Sequence, residues 1–121
     1  GGTPTACRID SGTLFNSVCV GSEDAAVATI ASGTTGAAIL RNVTAVGLGD
    51  STDAVQCIAT DSGGHAQLQV VNTIAYSAHH YGIYDEAVAG SSARITTFST
   101  AFSSGSTMEL SRSIRSQTIL V

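Results

Sequence analysis

The densest group of side chains able to do chemistry is His79-His80-Tyr81, followed shortly by Asp85-Glu86. Two imidazoles and a carboxylate suit a metal ion, or a general base held near a substrate. Neighbouring histidines on a strand point to opposite faces, and no fixed ligand spacing joins these five residues. The same cluster therefore also reads as a solvated loop. A second acid group comprises Asp50, Asp53 and Asp61. Within it, Asp50-Ser51-Thr52-Asp53 offers oxygen ligands of the kind Ca²⁺ takes, and equally the composition of an ordinary turn. Arg41 and Arg94 fall on neighbouring strands and are candidates for a shared groove, while Asp61 and Asp85 are the acids a hydrolase would have to bring together. No phosphate-binding glycine loop and no nucleophile–His–Asp order is present. The sequence thus assigns no catalytic, cofactor or metal residue, and Ca²⁺ is the only cofactor these residues suggest.

Such groups must be positioned by something, and the chain carries a faint internal repeat that supplies it. Leu14-Phe15-Asn16-Ser17-Val18-Cys19 is followed by Leu40-Arg41-Asn42-Val43-Thr44-Ala45 and Val70-Val71-Asn72-Thr73-Ile74-Ala75. A degenerate fourth copy reads Thr97-Phe98-Ser99-Thr100-Ala101-Phe102. The anchors Asn16, Asn42, Asn72 and Ser99 recur after 26, 30 and 27 residues. A period of this size marks one supersecondary unit stacked on copies of itself.

Each unit holds three short apolar runs joined by Gly, Ser, Asp and Thr turns, which predicts strands near 27–30, 37–41, 43–46, 55–59, 66–70, 73–76, 93–97 and 100–103. Alternation is cleanest in Ala66-Gln67-Leu68-Gln69-Val70, with two Gln to water and three apolar residues to the core. No segment carries a helical stripe. Strands of this kind pair with the next turn of the coil in parallel, about 4.8 Å apart, so equivalent residues stack. Leu14, Leu40, Val70 and Thr97 form one expected column, and Ala38, Leu68 and Ile95 another. The asparagines are expected to stack at one inward turn as a ladder of carboxamides, at a position where Asn tolerates left-handed backbone angles. An antiparallel sandwich is the rival arrangement.

The Leu40–Ala45 and Asn72–Ala75 phrases, each with its glycine-rich or small-residue turn upstream, resemble the right-handed parallel β-helix proteins, the pectate-lyase-like solenoids. The likeness runs over roughly residues 6 to 105. It implies an all-β solenoid of about four turns, with loops at Gly47 to Asp53 and Ser77 to Tyr81. Residues 1–121 then form one solenoid segment, with a flexible start at 1–5 and a last partial turn at 106–121. The apolar finish at Gln117–Val121 suggests a piece of a longer coil, or one that stacks on another chain. The resemblance also implies an extracellular or cell-surface location.

Composition narrows the function. Hydrophobic residues make up 43% of the chain and charged ones only 12%, enough apolar surface to bury a core. With five arginines, no lysine and nine acids, the formal charge of −4 gives no electrostatic support for a nucleic-acid partner, and no run reaches membrane-span length. Cys7 and Cys19 lie 12 residues apart in one unit and admit a bridge, although three free thiols are equally compatible with the spacing. Cys57, in an apolar strand, reads as a small buried hydrophobe. Two function classes follow. One is a structural or binding solenoid such as a surface fibre, adhesin or carbohydrate-contacting module, with polysaccharide or further solenoid turns as partners and end-to-end self-association. The other is a fragment of a β-helix polysaccharide lyase or glycoside hydrolase.

Overall fold

The computed structural model describes residues 5–104 and 117–120. The expected flexible start, apart from Thr5, and residues 106–116 and 121 of the expected last partial turn lie outside the described residues. The strands are β1 (Thr5–Arg8), β2 (Ser11–Gly21), β3 (Ala25–Ala31), β4 (Thr35–Gly47), β5 (Asp53–Ala59), β6 (His65–Val71), β7 (Ile74–Ser77), β8 (Ile83–Ala87), β9 (Ser92–Phe98), β10 (Ala101–Ser104) and β11 (Gln117–Leu120). Every pairing among them is parallel, and every partner lies about one repeat away. The antiparallel sandwich is therefore excluded. Over the described residues the chain is a β-solenoid of about three turns.

One sheet runs β1-β3-β5-β8. The other covers two faces, because β2 and β4 pass straight through the repeat anchor instead of breaking at it. The bend is made by one residue. Asn16, Asn42, Asn72 and Ser99 have φ of 51°, 55°, 47° and 46°, the left-handed region that Asn reaches at lower cost than other side chains. The expected strand boundary at 42 is thus a kink within a strand. On its two sides, β4 pairs first with β6, as in Ala38↔Leu68, and then with β7, as in Thr44↔Ile74.

The anchors do stack. The Nδ2 of Asn42 donates to Oδ1 of Asn16 at 3.0 Å, and the Nδ2 of Asn72 donates to Oδ1 of Asn42 at 2.6 Å. The ladder lies on the outer surface, which corrects the expectation that it faces inward. A left-handed residue at a convex corner projects its side chain outward, so the amides stack in solvent. The residue after each anchor braces the kink from within. Ser17, Thr73 and Thr100 each donate a hydroxyl to the carbonyl two residues back, at 2.9, 2.9 and 2.8 Å. Val43 has no hydroxyl, and its N–H donates instead to Oγ1 of Thr73.

Residues alternate between the interior and the surface, so the core is a set of columns. Leu14, Leu40, Val70 and Thr97 stack in register, as do Ala38, Leu68 and Ile95. The facing sheet contributes Cys7, Val27, Val55 and Ile83, with Ala31, Ala59 and Ala87 beside them. Leu40, Val55, Val70, Ile83 and Ile95 are fully buried. Each such side chain stabilises the fold by about 1.5–3 kcal/mol.

Cys7 and Cys19 form a disulfide, joining β1 to β2 across the interior of the first described rung. Cys57 is free and buried, as its apolar strand predicted. Burial pushes its thiol up to about 12. No helix occurs among the described residues, so none is long and apolar enough to cross a membrane.

Candidate functional site

The corner between β4 or β7 and the next strand of the first sheet carries the longer loops, 48–52 and 78–82. Its turns are tight at their origin. A Cβ on Gly47 would meet the Thr52 carbonyl oxygen at 2.6 Å. One rung on, the register places Ser77 over Gly47. Ser77 Oγ donates to the Thr52 carbonyl at 2.7 Å and accepts the His80 N–H at 2.8 Å, so it ties the two loops together.

Asp53 is the hub of this corner. It opens β5 and is only 2% exposed. Its Oδ1 is 2.5 Å from Nδ1 of His80 and accepts the backbone N–H of Tyr81 at 3.2 Å, and its Oδ2 accepts from Nε2 of Gln56 at 2.7 Å. Burial pushes the Asp53 carboxyl above its usual range, against the opposing pull of the Gln56, His80 and Tyr81 hydrogen bonds. With His80 held by this bond, Tyr81 and Tyr84 stack with ring centroids 5.3 Å apart at 21°, and His80 meets Tyr81 edge-on at 4.5 Å. The Tyr84 hydroxyl donates to Glu86 Oε2 at 2.7 Å. Asp24, Ser51, Asp53, Gln56, Ile58, His80, Tyr81, Tyr84 and Glu86 together enclose an open cavity of about 270 Å³.

The residues named from sequence are distributed unevenly around this corner. His80 is part of the site. His79 points away and lies 4.0 Å from the exposed Asp50. Asp85 faces the interior, in register with Cys57, while Glu86 faces out, so that pair is split across the sheet. Asp61 sits at a different corner, accepting from Ser32 Oγ at 2.6 Å. Asp61 and Asp85 therefore do not meet. Nor does Asp50-Ser51-Thr52-Asp53 converge on one point: Thr52 is buried with its hydroxyl on the Glu23 carbonyl, Asp53 is committed to Gln56 and His80, and Asp50 is exposed. No group of three His, Cys, Asp or Glu able to hold a metal occurs among the described residues.

Arg41 and Arg94 do share an outer face but not a groove. Arg94 lines a shallow groove of about 370 Å³ with Gln67, Gln69, Thr13 and Thr96. Arg41 stacks between Phe15 and Val71, outside that groove. His65 is exposed at the start of its strand and meets Ser92 Oγ at 2.8 Å. The third face is apolar on its outer side, with Val18, Val20, Ile74 and Tyr76 exposed.

Asp53 escaped the sequence reading as the partner of His80, and Gln56 and Tyr84 as members of the same corner. The signal was present in the period: the local register of 28 residues sets Gln56 beside Tyr84, and Asp53 beside Tyr81 with His80 next to it. Comparison with family models, with curated proteins and with solved structures gave no match, so the geometry of this corner is what the functional reading rests on.

Proposed function

We propose that this chain is a binding β-solenoid that contacts carbohydrate at the Tyr81–Tyr84 corner, without catalysis of its own. The observation that carries the reading is the stacked tyrosine pair standing beside carboxylates on a rigid rung. A tyrosine face takes the C–H side of a sugar ring, and the carboxylates take its hydroxyls. The most buried acid of the site acts as a brace. Both oxygens of Asp53 are occupied by protein donors, which leaves it poorly placed to take a substrate proton. Retention of polysaccharide by the purified chain, lost in Tyr84→Ala with an unchanged melting temperature, is the expected result. Release of reducing ends or unsaturated products that disappears in Glu86→Gln would replace this reading with the lyase or hydrolase alternative.

The coil as a right-handed, pectate-lyase-like solenoid belongs to the same proposal. Parallel strands joined by a crossover are overwhelmingly right-handed, which supports that hand. The Cys7–Cys19 disulfide supports an extracellular or cell-surface setting, where such bridges persist. Among the described residues, β1 pairs only with β3 and β2 only with β4. Their outer edges favour docking of a further rung, from more solenoid or from another copy.

A further inference from the structure

The 270 Å³ corner cavity is rich in acidic residues. Three acidic residues, Asp24, Asp53 and Glu86, line it, and no arginine does. Gln56 sharpens this imbalance. It is 4% exposed, and its Nε2 donates to Asp53 Oδ2 at 2.7 Å and to the Asp24 carbonyl at 3.4 Å. Both partners can only accept, so the carboxamide cannot be turned over without losing both bonds. Its Oε1 is left buried with no hydrogen-bond partner. An orphaned buried acceptor in a cavity wall calls for a donor.

The donors of the lining leave it unpartnered, the Ser51 and Tyr81 hydroxyls included. His80 Nδ1 is engaged by Asp53, and the Tyr84 hydroxyl proton is already given to Glu86. A ligand that suits the cavity therefore brings its own donors, and three acidic residues favour one that also brings positive charge. A primary ammonium has three donors and a charge, and tyrosine faces attract cations. The volume admits about one sugar ring, with the rest of a chain running outward. A uronate would be repelled by the same acidic residues.

We propose that the Asp24–Gln56–Tyr81–Tyr84–Glu86 cavity binds an amino-sugar residue through its protonated amine. This rests on the carbohydrate-binding reading above and names the sugar class. The ring lies on the tyrosines, and the ammonium is shared between Glu86 and Asp24, with the Gln56 side chain shifting to bring its covered Oε1 within reach.

Calorimetric titration with a short β-linked glucosamine oligomer, its fully N-acetylated counterpart and a lysine tripeptide tests it. The glucosamine oligomer is expected to bind about tenfold or more tighter than the N-acetylated one, the scale of a charge-assisted contact. Glu86→Gln and, independently, Asp24→Asn should shrink that preference while leaving the melting temperature in place. Equal affinity for the two oligomers overturns the amine assignment but leaves a neutral sugar site standing. Binding to neither removes both this inference and the carbohydrate reading. A lysine tripeptide that binds as tightly as the glucosamine oligomer overturns the assignment to a sugar.

Discussion

Asn42 sits between Asn16 and Asn72, giving its Nδ2–H to one and receiving at its Oδ1 from the other, at 3.0 and 2.6 Å. The three carboxamides also share a left-handed backbone, with Asn42 at φ 55°. Because the ladder is exposed, its hydrogen bonds replace bonds to water and add little net stability. The backbone angle matters more. Asn42→Ala should destabilise by about 1–2 kcal/mol, the penalty for a Cβ in the left-handed region. Asn42→Gly removes the same ladder bonds but not the freedom of φ, and should melt close to the parent. Thermal or urea unfolding of the two variants checks this. Equal loss in both would show that the amide column outweighs the kink.

Leu68 is 2% exposed in the column between Ala38 and Ile95, whereas its neighbour Gln67 faces solvent. Leu68→Ala should cost about 2–5 kcal/mol, and Gln67→Ala within about 0.5 kcal/mol of nothing. Urea unfolding of the pair measures the contrast. A small loss for Leu68→Ala would mean that the coil collapses readily around a vacancy.

The Cys57 thiol, raised by burial to about 12 in the folded chain, ionises near its ordinary value of 9.0 once unfolded. Between those values the folded state holds the proton that the unfolded state has lost. Stability contributed by the neutral thiol is present below the unfolded value and falls as pH rises through this window. Cys57→Ala should flatten that alkaline loss, measured as unfolding free energy against pH. At neutral pH the native thiol should resist alkylation and react only in denaturant.

Reduction of Cys7–Cys19 should lower stability by about 3 kcal/mol, the entropic scale for a loop of this length. A melting curve with and without a phosphine reductant provides the measurement. An unchanged midpoint would show that the first rung is held by its strand pairing alone.

Much of this architecture was legible because columns demand equivalent residues at equivalent phase. The four anchors marked the four non-glycine residues with left-handed φ among the described residues, and the files headed by Leu14 and Ala38 matched the register residue for residue. What stayed hidden followed from treating chemistry as local in sequence. His79 and His80 were expected to point apart, and they do, but nothing near them in the chain tied His80 to Asp53. Asp85 and Glu86 looked like a carboxylate pair, yet strand alternation drives one into the core. The real partners stand one turn apart, where the period, and not proximity along the chain, brings them together. The inward ladder failed for a related reason: the kink that Asn permits also decides which way its side chain points.

The bridge across the first rung has a mechanical consequence. A coil of parallel rungs pulled at one end peels strand by strand, each rung yielding its full contour in turn. Inside the Cys7–Cys19 span, 12 residues cannot extend. Under tension the oxidised chain withholds roughly 40 Å of length from that rung. The first rung then acts as a locked link, and its redox state sets how far the coil stretches before the rungs beneath it bear the load.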